Sequence, residues 1–211
     1  MTPGTPVAGG ATIRVDLQLI ADMVAPGARV LDLGCGEGAL LEYLVTEKDV
    51  DGRGVELSQA GVNACVSRGL SVIQGDVDFD LGDYPDNSFD YVILSQTLPA
   101  ARHPRELLLE LLRIGNCVIV SFPNMGYWRS RLYLLWYGCM PVTGALPSLW
   151  WETSNIHLCS IRDFLNLCGD LGIAIERALT VNNRGQVSRF RGVGRIANLM
   201  GEQGVFLLGR S

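Results

Sequence analysis

The side chains best placed to do chemistry are an acid before a glycine-rich turn and two further acids spaced behind it. The turn reads Asp32-Leu33-Gly34-Cys35-Gly36-Glu37-Gly38 and joins an apolar run to an amphipathic one. Glycines at such a strand-to-helix junction permit a tight turn and let the backbone come close to a ligand at the helix N-terminus. That pattern is weak evidence alone, and its neighbours narrow it. Asp32 stands where a pyrophosphate would be repelled and an ammonium attracted. Glu56 ends the next strand, placed to accept hydrogen bonds from both hydroxyls of a ribose. Asp76 ends the strand after that, placed to receive an exocyclic amine. Each acid alone could cap a helix or sit solvated in a loop. Together, at successive strand ends, they describe a nucleoside carrying a cationic amino-acid arm rather than a dinucleotide.

The elements that must position these acids follow from periodicity. Residues 14–25 read as a short amphipathic helix stopped by Pro26-Gly27. ARVLDLG, 28–34, is an almost wholly apolar strand, as at the centre of a parallel sheet buried on both faces. A helix over 36–45, a strand over 52–58, a helix closed by Gly69 and a strand over 70–76 continue the alternation. Strands over 89–96 and 116–123 flank a helix over 105–113, and 124–160 is an aromatic-rich insertion capping the sheet. The pattern resumes with a helix over 161–172, a strand over 173–181, a loop rich in arginine and glycine, and a last strand over 204–210. Such alternation predicts a doubly wound α/β sheet. The whole chain, 1–211, is expected to form one domain, with 1–13 as a flexible tail.

Composition excludes several classes. Hydrophobic content of 48% and charged content of 18% over 211 residues suit a folded chain with a sizeable core. No apolar run is long enough to span a membrane, and the first residues lack the features of a secretory signal. Residues 1–110 carry 7 basic and 17 acidic side chains, a balance of −10, whereas 111–211 carry 10 basic and 5 acidic, a balance of +5. The overall acidity argues against a general nucleic-acid binder. The six cysteines form no CxxC pair and no Cys/His cluster, so free thiols in a reducing cytoplasm are expected, with no metal.

RVLDLGCGEG, GVEL and QGDV resemble the motifs of the class I S-adenosylmethionine-dependent methyltransferases, a Rossmann-like fold. The last two strands match that fold's reversed final strand, which implies a mostly parallel seven-stranded sheet. The resemblance implies cofactor contacts at Asp32, Gly34, Cys35, Gly36, Glu56, Leu57, Asp76, Val77 and Ser95. A more specific resemblance covers nearly the whole chain. DLQLIADMV, LSQTL, VIVSFPNMGYWRSRLYLL, MPVTGALP and TSNIHLCSIRDF are similar to the methionine-biosynthesis family MetW. That family implies a protein that supports homoserine O-acetyltransferase by forming a complex with it.

Catalysis has thin support. No GxSxG elbow is present, so the chain is not itself an acetyltransferase of that type. SQTL follows the fourth strand in place of an Asn/Asp-Pro-Pro-aromatic run, which weighs against methylation of nucleobase or amide nitrogens. His103 and His157 are the candidate general bases, and a lone histidine more often serves structure. The segment before the first strand is short for the cover that many small-molecule methyltransferases place over their acceptor.

The insertion holds all four tryptophans, Trp128, Trp136, Trp150 and Trp151, within 24 residues. Trp136 fits the core of a helical cap. Adjacent Trp150 and Trp151 fit a core less well, because sequence neighbours rarely face the same way. With Arg129 and Arg131 they could form a partner surface or a substrate wall. The expectation is therefore a cytoplasmic MetW-like protein that binds S-adenosylmethionine or S-adenosylhomocysteine and associates with homoserine O-acetyltransferase; a homodimer is compatible with it. A methyltransferase acting on a small molecule is the second reading, and an interaction module with no ligand the third.

Overall fold

The computed structural model describes residues 13–153, 155–182, 184–190 and 194–210. The tail assigned to 1–13 lies, except for Ile13, outside them. The apolar run after Pro26-Gly27 forms strand β1 (Arg29–Leu33), buried along all but its first residue. Strands β2 (Asp51–Glu56), β3 (Ser71–Gln74), β4 (Phe89–Ser95) and β5 (Gly115–Pro123) join it in a parallel array ordered β3-β2-β1-β4-β5. Helix α4 (Pro104–Ile114) and helix α6 (Ile161–Leu171) cover one face, packing on Leu31, Leu33, Val92, Leu94 and Val120. Helices α1 (Val15–Ala21) and α2 (Ala39–Lys48) cover the other, against Val30, Ile93 and Ile119. Alternate residues of each strand thus feed opposite cores. The centre of the first core is a group of three rings, with Phe122 and Phe206 stacked at 5.6 Å and Phe164 within 4.9 Å of both.

Among the described residues the sheet has eight strands, not the seven expected. Strand β6 (Ala174–Val181) is followed by a three-residue strand, β7 (Val187–Arg189), which pairs antiparallel to it at the sheet edge. The stretch reads as a loop because of its Arg and Gly content. Asn182 reverses the chain there: its Oδ1 accepts the N–H groups of Arg184 and Gln186, both at 3.0 Å. A short helix, α7 (Arg195–Met200), then leads into the reversed strand β8 (Gln203–Gly209), which inserts antiparallel between β5 and β6.

The insertion begins and ends on one side chain. Asn124, 2% exposed, donates through Nδ2 to the carbonyls of Asn198 (2.8 Å) and Gly201 (2.7 Å). Its Oδ1 accepts from Gly126 (2.9 Å) and from Ile161 (3.1 Å), the first residue of α6. All four hydrogen-bonding valences are used, so the entry, the exit and α7 are locked together. Within the insertion, helix α5 (Trp128–Tyr137) buries only Ser130. Trp136, expected in the core of this cap, is 72% exposed, since the helix turns only Ser130 into the body and leaves the face that carries Trp136 uncovered among the described residues.

Candidate functional site

The glycine turn is built by close approach. Gly34 has φ +72, and a Cβ there would lie 2.5 Å from Thr97 Oγ1, so neither the conformation nor the space admits a side chain. Gly34 and Cys35 both donate N–H to the Val55 carbonyl, which ties the turn to β2. Gly36, at φ +58, has open space where a side chain would stand. α2 begins three residues later, so its first N–H groups lie next to this opening.

The three strand-end acids differ in their state. Asp32 is 2% exposed, and its Oδ1 has no hydrogen-bond partner. Burial, reinforced by the charge of Glu56, pushes its carboxyl up to about 7. A buried carboxylate without a partner is costly, and a cationic ligand atom would satisfy it. Glu56 accepts the N–H of Gly36 through Oε2 (2.9 Å) and that of Ser58 through Oε1 (2.9 Å). It braces the turn against helix α3 (Gln59–Ser67), yet each oxygen keeps a second lone pair for a ribose hydroxyl. Asp76 sits in a tight loop: its Oδ1 accepts from Asp78, and its N–H donates to Asp80 Oδ2 at 2.7 Å. Leu57 is 64% exposed, an apolar side chain left open beside the Glu56 carboxylate, and Val77 is half-buried against the core.

The Cys35 thiol is turned into the packing behind the turn. Its Sγ lies 4.0 Å from Cys65 Sγ, and burial pushes the thiol well above the usual range. The side chain packs with Leu41, Leu70 and Val72 behind the turn. Ser95 ends β4 with its Oγ 3.4 Å from Ser121 Oγ. Two neighbours that sequence reasoning passed over complete this region. Thr97 fills the place opposite Gly34 and donates to the Leu33 carbonyl at 3.2 Å. Gln96 takes φ +58, uncommon for a non-glycine residue, and donates Nε2 to Asp16 of α1 at 3.0 Å. Both stand in the SQTL run that follows the fourth strand, which the sequence marked as a segment without giving either residue a role.

The candidate bases are tethered by structure. His157 donates its backbone N–H to the Pro99 carbonyl at 2.9 Å, and its ring Nε2 lies 3.3 Å from the Arg102 carbonyl. It fastens the end of the insertion to the loop after β4. His103 precedes α4, where the Asp78 carboxylate gathers the N–H groups of Arg102 and His103. Among the described residues no cluster of three His, Cys, Asp or Glu side chains could hold a metal.

Trp150 and Trp151 are 69% and 62% exposed and meet edge to face at 5.5 Å. Trp150 also borders a cavity of about 240 Å³ that reaches Gln96 and Met125. Arg129 lies over the Trp128 ring at 5.3 Å, and Arg131 donates to the Gly126 carbonyl at 2.7 Å.

Over residues 14–208 the chain matches the family described as "Methionine biosynthesis protein MetW". It is 36% identical over 174 residues to the "Bifunctional methionine biosynthesis protein MetXA/MetW" of Rhodopirellula baltica, a stretch covering 78% of this chain and 28% of that protein. It is 31% identical over 126 residues to the demethylmenaquinone methyltransferase of Renibacterium salmoninarum, covering 54% of this chain and 51% of that one. The chain thus spans about a quarter of the first relative and half of the second. Among solved structures, an S-adenosylmethionine-dependent methyltransferase of Thermotoga maritima, described as a possible histamine N-methyltransferase, superposes with a TM-score of 0.66 at 17% identity over 93% of this chain and 88% of that one. An S-adenosylmethionine-dependent methyltransferase of Mesorhizobium loti gives 0.65 at 16%, covering 93% and 98%. At those identities the likeness concerns the fold alone, and that fold is the Rossmann-like class I methyltransferase fold.

Proposed function

The chain belongs to the MetW family of methionine-biosynthesis proteins, and from that premise we propose that it binds S-adenosylmethionine or S-adenosylhomocysteine at the glycine turn and supports homoserine O-acetyltransferase by association. The observation that carries the cofactor half is the orphaned, buried Oδ1 of Asp32. The ammonium of the methionyl arm is the partner that atom lacks. Gly34, Cys35 and Gly36 offer backbone at close range, Glu56 its remaining lone pairs to the ribose, and Leu57 and Val77 apolar walls for the base. Asp76 keeps an oxygen for the exocyclic amine, and Ser95 stands toward the methionyl end. S-adenosylmethionine, when bound, supplies an activated methyl group; S-adenosylhomocysteine reports that one has been spent.

The partner half rests on two supports. A relative carries a MetXA part and a MetW part in one chain. The cap exposes five large apolar side chains, Leu135, Trp136, Tyr137, Trp150 and Trp151, by 62–76% each, two of them adjacent indoles packed edge to face. Tryptophans of this kind anchor interfaces. Six free cysteines accord with a reducing cytoplasm. The test is co-purification with purified acetyltransferase, with and without S-adenosylhomocysteine, beside calorimetry of both nucleosides against NAD. Retention of the acetyltransferase and binding of the nucleosides but not NAD support the proposal. Binding of NAD instead would overturn the ligand class, and no retention under either condition would overturn the partner.

A further inference from the structure

A second cavity lies away from the glycine turn, bounded by α1, the cap and the start of β8, with a volume of about 640 Å³. Asp16, Tyr127, Arg129, Tyr133, Glu202 and Gln203 are among its walls. Glu202 is 8% exposed, and its carboxylate has no hydrogen-bond or ion-pair partner among the described residues. It faces the cap: a Cβ on Gly144 would lie 3.6 Å from its Oε1. Glu202 thus presents an unpartnered carboxylate to the water-filled cavity, free to accept a ligand's hydrogen-bond donors. Asp16, 5% exposed, is already satisfied by Arg14 (2.7 Å) and Gln96 (3.0 Å), so it adds negative potential without competing for a ligand. Tyr127 is 4% exposed, and its hydroxyl likewise has no partner among the described residues. At the rim, the Arg129 guanidinium touches an aromatic face and no carboxylate.

An unpartnered anion, a free hydroxyl and an unpaired cation lining one cavity describe the complement of a zwitterion. We propose that this cavity is a binding site for a free α-amino acid, distinct from the nucleoside site, with the ammonium on Glu202 and the carboxylate on Arg129. A simple amine would leave Arg129 unused, and a simple carboxylate would be repelled by Glu202 and Asp16. Val15, Val142 and Val181 line the remaining space and accept an apolar side chain.

The experiment titrates each common L-α-amino acid against the full chain by calorimetry, with saturating S-adenosylhomocysteine present so that the methionyl arm's own place is filled. At least one amino acid should bind saturably, and its N-acetyl and amino-alcohol forms should not. Glu202→Gln should weaken it by about ten- to a hundredfold, the range for losing a hydrogen bond to a charged group. Tyr127→Phe, which removes only the hydroxyl, should weaken it by roughly fivefold. Saturable binding by none of the amino acids, equal binding of the N-acetyl form, or unchanged affinity in a folded Glu202→Gln variant would each overturn the proposal.

Discussion

Around the glycine turn the chain is braced at every step, whereas across the cap its largest side chains touch little. Gly34 and Cys35 share one carbonyl of β2, Thr97 fills the space behind them, and Glu56 holds both Gly36 and Ser58. The cap is tied down by Asn124 and His157 at its ends and by buried Tyr127 and Ser130 near its start, and it presents Trp136, Trp150 and Trp151 outward. Rigidity around a buried, unpaired acid suits a small ligand that must be gripped from several sides. Exposed indoles on a tethered insertion suit a large partner, because a Trp ring brings much contact area with only two rotatable bonds to freeze. On the proposed function the two halves have different tasks, so each should be open to disturbance without the other.

The largest expected effect is a pH dependence from the turn. The Asp32 carboxyl is raised from 3.8 to about 7 in the folded protein. Between those values the folded chain holds a proton that the unfolded chain has lost, so this group's contribution to stability falls as pH rises through that window. The total is on the order of 4 kcal/mol, at about 1.4 kcal/mol per pH unit. Urea unfolding of the wild type and of Asp32→Asn, compared from pH 4 to pH 8, isolates it: the variant should lack this fall. Equal slopes in the two proteins would mean that Asp32 has a partner after all.

Next in size, Gly34→Ala should destabilise the fold by about 2–4 kcal/mol, through a left-handed φ and a collision with Thr97. Thr97→Ala in the same chain should recover part of that loss, which a double-mutant cycle would detect. Strict additivity would remove the Gly34–Thr97 contact from the account.

Replacing Trp150 and Trp151 together by alanine should change folding stability by less than about 1 kcal/mol, as exposed positions do. The same pair should weaken association with the acetyltransferase by about 2 kcal/mol or more, measured by titration. A variant that unfolds would make the pair part of the core. An unaltered complex would shift attention to Leu135 and Trp136 on α5.

The smallest effect belongs to Glu56→Ala, which should weaken nucleoside binding by about 1–3 kcal/mol in calorimetry. Unchanged affinity would confine Glu56 to bracing the backbone of the turn.

Much of this architecture was legible in the residues, and the exceptions share a cause. The parallel strands announce themselves because burial on both faces demands apolar runs, and the turn because only glycine tolerates its backbone. β7 was missed since three exposed residues, Val187 to Arg189, carry no period; their pairing depends on the Asn182 turn and on the open edge of β6. Trp136 was misplaced because an apolar residue on a helix predicts burial only if a neighbour covers that face. Thr97, Gln96 and Glu202 matter through contacts across long sequence separations, which one chain read in order does not display. The positions of Asp32 and Glu56 at strand ends were legible, Asp76 lies in the loop just past β3, and the orphaned state of Asp32 emerged only from its surroundings.

The most direct measurement of the central claim, a small cation-bearing ligand at the glycine turn, is Asp32→Asn examined twice. Chemical unfolding of the free protein at pH 8 should show the variant more stable than wild type by a few kcal/mol, on the order set by the buried charge it removes. Calorimetry with S-adenosylhomocysteine under the same conditions should show its binding weakened by about tenfold or more. Stability gained and affinity lost in one substitution would mark Asp32 as an acid held for its ligand. A variant that binds as tightly as wild type, or one that is less stable without ligand, would contradict that account.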